Sequence, residues 1–173
     1  SHVLHLDQHY RVADPFHWLF GKIVAPNGLT PGWMREGLAA YVETNEAGKG
    51  RAQFSVSDMM IRAALEDKAF PHIDEIDAGR IKWPGGEMQY IYGAKFLQWL
   101  ANKYGEERIY KYAQEYASGV WIFSLNNKAR RIFGKSFYKL WADWKADLDS
   151  QYQKLKNDLS GRGLTSLEPL FPK

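Results

Sequence analysis

The segment from Thr30 to Glu43 constrains the fold most, because it starts a helix and carries acids among apolar residues. Thr30 is a favourable N-cap, and Pro31 suits the first helical position, where the N–H that proline lacks would have no partner. Gly37 lowers the stability of this helix, so we expect another part of the protein to approach its backbone there. The apolar face of the predicted helix comprises Trp33, Leu38, Tyr41 and Val42.

Two carboxylates project from one side of this helix. Glu36 lies one turn from both Trp33 and Ala40, and Glu43 follows two turns after Glu36. A carboxylate that is buried in a protein must be paired, hydrogen-bonded or bound to a metal. The chemistry of the chain therefore depends on what surrounds Glu36.

Helical periodicity also dominates the remainder of the chain. Caps and apolar spacing predict helices over about 57–67, 87–105, 106–119, 124–134 and 136–161. Residues 1–9 resemble the end of a helix, and a short helix is expected near 15–23. Short strands remain possible only at 52–56 or 80–83. The sequence predicts an all-α domain of six to eight helices over residues 1–160, followed by an extended tail or linker over 161–173.

Composition excludes several classes of protein. Hydrophobic residues make up 45% of the chain and aromatic residues 15%, which is typical of a globular domain. The 23 basic and 20 acidic residues give a net charge of +3, too balanced to predict nucleic-acid binding. No apolar run approaches the length of a membrane-spanning helix. The absence of cysteine excludes disulfides, cysteine-ligated metal and a thiol nucleophile.

Three segments carry a family resemblance. Residues 33–43 resemble the Trp-x-x-Glu-Gly-x-Ala-x-Tyr-x-Glu signature on the second metal-binding helix of gluzincin zinc metallopeptidases. Residues 90–96 are similar to the helix that supplies a transition-state tyrosine in that clan, and Ser1-His2 resembles the end of its His-Glu-x-x-His motif. The best match is the bacterial peptidase MA-like domain, a relative of the aminopeptidase N type. Residues 133–136 and 141–144 also resemble the end of such domains.

The resemblance implies a role for each matched residue. His2 would be the second zinc ligand and Glu36 the third, while Glu43 would orient a ligand from outside the coordination sphere. Tyr90 would donate a hydrogen bond to the oxyanion that forms at the scissile carbonyl, with Tyr92 as the alternative. The first histidine and the catalytic glutamate would precede residue 1, so the chain would be truncated inside its His-Glu-x-x-His motif.

The function implied by the resemblance is peptide-bond hydrolysis by zinc-activated water. The chain would be the C-terminal helical part of the catalytic domain, inactive and poor at holding zinc without the missing ligand and base. Its partner would be a peptide or protein substrate, not nucleic acid. Family tendency favours a bacterial periplasmic, envelope or secreted location. A second interpretation is a non-catalytic helical module that retains the peptidase fold and binds a peptide or protein.

Each candidate residue also has a simpler interpretation. His2 can be an ordinary histidine at a helix end or the remnant of an expression tag. Glu36 can be an acid paired with a basic residue. Glu43 fits a solvated acid equally well, and Tyr90 fits a packing tyrosine, since aromatic residues at helical spacing usually lie in the core.

Three other clusters favour structural interpretations. Trp141 and Trp144 are expected in the core. The acids of the segment 73–77 are expected in a solvated loop, because a calcium site needs a fuller set of oxygen ligands. The last cluster is expected to form a solvated basic surface and contains Lys128, Arg130, Arg131 and Lys135.

Overall fold

A computed structural model describes residues 31–47, 55–77, 85–117 and 125–163, of which 86% are helical. The protein is all-α, as predicted, and the described residues form no strand. The described residues form six α-helices: α1 Gly32–Ala47, α2 Ser55–Glu66, α3 Met88–Tyr104, α4 Glu106–Ala117, α5 Leu125–Phe133 and α6 Phe137–Gly161. Within the same ranges, the 3-10 helices Ile73–Glu75 and Gly85–Glu87 precede α3.

Local signals predicted most helix ends to within two residues. Ser136 caps α6 as expected, because its side chain accepts a hydrogen bond from the backbone N–H of Lys139 at 3.4 Å. The sequence also indicates Ser57 and Asp58 as a cap for α2, which is wrong, since α2 begins at Ser55 and Ser57 lies buried inside it. Helix α1 begins one residue after Pro31, whose carbonyl accepts from the N–H of Arg35 at 3.1 Å.

Several sequence predictions concern residues outside the described ranges. They include the helices near 1–9 and 15–23, the cap at Thr30, the possible strand at 80–83 and the tail beyond residue 163. The possible strand at 52–56 is wrong for Ser55 and Val56, which form the first turn of α2.

Helix α3 is the central element of the core. Helical spacing predicts a stripe on it that contains Tyr90, Ala94, Leu97, Ala101 and Tyr104, with Gly93 and Leu100 beside it. Ala94, Leu97 and the two flanking residues are buried, whereas Tyr90, Ala101 and Tyr104 are half-buried. The helix also buries Ile91 and Phe96, which lie on other sides, so it is covered by protein around most of its circumference. Because apolar residues on several of its sides are buried, α3 lies in the interior of the domain.

An aromatic cluster joins α3 to α6. Trp141 and Trp144 are buried, as predicted, with ring centroids 4.7 Å apart. The Phe96 ring packs against Trp141 edge to face at 4.9 Å, and Trp33 of α1 meets Phe137 of α6 at 5.1 Å. These contacts hold α1, α3 and α6 around one core.

The distal end of α6 extends beyond that core. Helical spacing in the sequence predicts an apolar face that runs from Phe137 to Leu159, but Leu155 is 36% exposed and Leu159 is 43% exposed. Lys156 forms an ion pair with Glu66, the last residue of α2, at 2.9 Å. Because α2 ends there, the final turns of α6 lie past the helix that covers its middle. No helix in the described ranges is both long and apolar enough to cross a membrane.

Candidate functional site

Helices α1 and α3 touch backbone to backbone at two glycines. A Cβ placed on Gly93 would lie 2.3 Å from the carbonyl oxygen of Trp33, and one placed on Gly37 would lie 2.6 Å from the carbonyl carbon of Gly93. Both distances are far shorter than real Cβ contacts, so only glycine fits at either position. The close approach predicted at Gly37 is therefore confirmed, and its partner is Gly93.

The two helices run in the same direction through this crossing. A Cβ on Gly32 would lie 2.6 Å from the side-chain oxygen of Gln89, so the start of α1 lies beside the start of α3. Further along, Tyr41 of α1 donates a hydrogen bond to Glu106, just beyond the end of α3, at 3.2 Å. Positions that follow the crossing on α1 therefore meet positions that follow it on α3.

Glu36 and Tyr90 lie on the same flank of this crossing. Ala40 and Ala94 are both buried and pack against each other beside the two glycines. Glu36 lies four residues before Ala40, and Tyr90 lies four residues before Ala94. Residues four apart share one face of a helix, so both side chains lie one turn before the alanine contact. We call this surface the Glu36–Tyr90 flank.

The Glu36 carboxylate is largely shielded from solvent. Its side chain is 13% exposed, and its Oε1 atom accepts a hydrogen bond from Nε of Arg35 at 3.1 Å. The Arg35 side chain itself is 32% exposed. A shielded carboxylate needs such a partner, and the ionised acid is a suitable oxygen ligand for a cation.

Tyr90 and Tyr92 occupy different environments although they are two residues apart. Tyr90 is half-buried on the flank, whereas Tyr92 is 2% exposed inside the aromatic core, 5.4 Å from the ring of Phe70. Burial raises the pKa of Tyr92 to about 12. Tyr92 thus lies on another side of α3 and cannot reach the flank, which leaves Tyr90 as the candidate there.

The other predicted site residues contribute less to the flank. Glu43 is exposed two turns after Glu36 on α1. His2 lies outside the described residues. Within the described ranges, no group of three or more histidine, cysteine, aspartate or glutamate residues could hold a metal ion. Glu36 is thus the one predicted ligand whose surroundings the structure describes.

Asp77 anchors the start of α1, a structural role that the sequence analysis did not predict. Its Oδ1 atom accepts a hydrogen bond from the backbone N–H of Trp33 at 2.7 Å, in the first turn of the helix. Desolvation raises the pKa of the Asp77 carboxyl, and hydrogen bonds from Trp33 and Gly32 oppose that shift. Asp74 and Asp77 are exposed, as expected of a solvated segment, although Ile73–Glu75 forms a 3-10 helix. Asp77 has a structural role in addition, because it pairs with a residue 44 positions away.

The basic cluster on α5 and in the turn that follows it is paired with neighbouring groups. Lys128 donates to the carbonyl of Glu115 at 2.6 Å, and Arg131 forms an ion pair with the Glu115 carboxylate. Lys135 pairs with Asp143 of α6 at 2.5 Å. Arg130 donates to Asn127, so each of the four cations has a partner on the protein.

Comparison with known proteins identifies a relative without an assigned function. Over 117 residues the chain is 28% identical to an uncharacterised protein of Treponema pallidum (strain Nichols). The match covers 67% of this chain and 11% of that protein, so the chain spans about a tenth of its relative. No protein-family model and no solved structure matches the chain.

Proposed function

We propose that this chain is the helical part of a zinc-dependent metallopeptidase domain of the gluzincin type. The observation that carries the proposal is the Gly37–Gly93 crossing, because it joins the two segments whose resemblance to the gluzincin motifs is most specific. One segment supplies Glu36 and the other supplies Tyr90, and both lie on one flank. In metal-assisted hydrolysis a carboxylate can hold the metal and a phenol can stabilise the oxyanion, and these are the roles that the resemblance implies for Glu36 and Tyr90.

The described residues supply one candidate zinc ligand and no complete ligand set. Glu36 offers a shielded carboxylate on a helix whose start is tied down by Asp77. His2 would be a further ligand, and in this proposal the remaining histidine and the glutamate base precede Ser1. Zinc bound there would polarise a peptide carbonyl and lower the pKa of a bound water to about 7.

The protein side chains then have distinct tasks. Glu36 would hold the metal, and Arg35 would fix the orientation of that carboxylate through its Oε1 atom. Tyr90 would donate its phenolic proton in a hydrogen bond to the oxygen that gains negative charge as the peptide bond is attacked. Glu43 would orient a ligand through a hydrogen bond, as the resemblance implies.

Metal analysis of a longer protein tests this proposal. We expect a protein that begins about ten residues upstream of Ser1 in its gene, roughly three helical turns, to hold one zinc per chain. Glu36→Gln should lose the metal, while the matched control Glu107→Gln, an exposed acid in the first turn of α4, should retain it. Unchanged zinc content in Glu36→Gln would contradict the proposed ligand.

Peptide hydrolysis by the same longer protein tests the role of Tyr90. Tyr90→Phe should keep zinc, and its kcat should fall by a factor of about 10²–10³, the effect of removing one oxyanion donor. Tyr92→Phe is the control and should retain activity, because its hydroxyl lies in the core. If the longer protein neither binds zinc nor cleaves peptides, the result would favour the interpretation as a non-catalytic peptide-binding module.

A further inference from the structure

We propose that the cavity between α2, α3 and α6 binds a small organic anion that has an apolar body. The cavity has a volume of about 320 Å³, within the range of small-molecule sites. Its α3 wall includes Lys95, Trp99 and Asn102, which lie on the side of that helix opposite Gly93. The cavity is therefore separate from the Glu36–Tyr90 flank, and its function does not depend on zinc.

Arg62 of α2 supplies the anion-binding group. Its Nε atom is buried and has no hydrogen-bond partner among the described residues. Its guanidinium carbon lies 5.1 Å from the ring centroid of Tyr152, which holds the cation against the α6 wall. A buried donor without an acceptor is costly, and a carboxylate on a ligand would satisfy it with charge-assisted hydrogen bonds.

The charge of the cavity lining favours an anion over a cation. Lys95 of α3 forms an ion pair with Asp58 of α2 at 2.7 Å, so these two charges neutralise each other. Within the described part of the chain, no ion pair joins Arg62 to a carboxylate. The lining thus has two cations and one acid, and one positive charge remains at Arg62. A single remaining charge suits a monocarboxylate better than a multiply charged phosphate.

The remaining lining is suited to the apolar part of such a ligand. Aliphatic and aromatic side chains form the inner wall, contributed by Ile61, Trp144 and Leu148. The indole N–H of Trp99 already donates to Asp147 at 3.0 Å, and its ring faces contact Lys103 and Phe96, so this residue contributes its ring edge. An aromatic ring bearing one short carboxylate arm matches a cavity of this size and polarity.

Titration with phenylacetate tests the inference. Indole N–H signals of Trp99 and Trp144 are followed by NMR while phenylacetate, its neutral isostere 2-phenylacetamide or inorganic phosphate is added to the full chain. We expect saturable chemical-shift changes with phenylacetate. The Kd of the amide should be at least about tenfold higher, because the charged hydrogen bond to Arg62 is lost. Arg62→Met should weaken phenylacetate about tenfold, while the control Arg130→Met on α5 should leave its Kd unchanged.

Three results would overturn the inference. Equal affinity for phenylacetate and its amide would remove the role of the charge. Phosphate binding as tight as phenylacetate would remove the role of the apolar wall. An unchanged Kd in Arg62→Met would remove Arg62 as the anion-binding group. If that variant does not fold, the comparison of acid and amide on the unaltered chain still decides.

Discussion

Replacing Gly93 with alanine tests the backbone contact on which the candidate site depends. The new Cβ would lie 2.3 Å from the carbonyl oxygen of Trp33 and 3.0 Å from the Cα of Gly37. Both neighbours are backbone atoms, which cannot turn away as a flexible side chain can. The two helices would have to separate, and the packing of Trp33 against Phe96 at 5.7 Å would loosen with them.

The size of the effect follows from two opposing terms. Overpacking a core costs about 1–3 kcal/mol, and a rigid backbone neighbour argues for the upper end of that range. Alanine instead of glycine in a helix interior returns about 1 kcal/mol through helix propensity. We therefore expect Gly93→Ala to lower the free energy of unfolding by about 2 kcal/mol, equivalent to a Tm lower by roughly 4–8 °C in a chain of this length.

Urea denaturation followed by far-UV circular dichroism measures this change. Gly161→Ala, at the end of α6, is the matched control, because a Cβ there meets no atom within 4 Å. That control should be neutral or slightly stabilising. If Gly93→Ala unfolds within about 0.5 kcal/mol of the control, a difference typical of surface substitutions, the two backbones are not in contact and the reasoning fails.

Two further predictions concern residues that support the core and α1. Asp77→Ala should lower the free energy of unfolding by about 1 kcal/mol, because the N–H of Trp33 loses its acceptor. The control Asp67→Ala, at an exposed position, should change it little. Equal effects of the two substitutions in urea denaturation would contradict the anchoring role of Asp77. Tyr92 should ionise only near pH 12 in the folded protein and near pH 10 when unfolded. Its raised pKa stabilises the fold fully below pH 10, and that contribution disappears as the pH rises through 12, so Tyr92→Phe should flatten this loss. The measurement is an absorbance titration of the folded protein and of Tyr92→Phe. If the substitution removes a phenol that ionises near pH 10, the raised pKa of Tyr92 is contradicted.

Local signals in the sequence predicted the helices well, because the information for helix ends is local. Ser136 and Gly105 mark the start of α6 and the end of α3 within a few residues of the chain. A glycine at this position predicts a left-handed helical cap. Gly105 has φ 94° and ψ 142°, so it ends α3 with a positive φ but outside that region. Helix positions could therefore be predicted, while the detailed cap geometry could not.

Contacts between distant segments could not be predicted in the same way. Gly37 indicated that something approaches its backbone, but nothing near it in the chain identifies Gly93 as the partner. Asp77 lies in an acidic segment that resembles a surface loop, and its role depends on Trp33, which lies 44 residues away. The unpartnered Nε of Arg62 exists only because α2, α3 and α6 enclose it. A period of 3.6 residues shows which face of a helix is apolar, but not which helix that face meets.

The paired glycines also set the axial register between α1 and α3. Sliding one helix along the other by a full turn, about 5.4 Å, would bring a residue with a Cβ to the point where only glycine fits. No neighbouring turn of α1 offers a second glycine, because the corresponding positions are Trp33 and Ala40. The contact therefore allows only one axial position of α1 relative to α3. Glu36 and Tyr90 keep the same relative height wherever these helices pack, so their alignment is a property of two residues that carry no side chain.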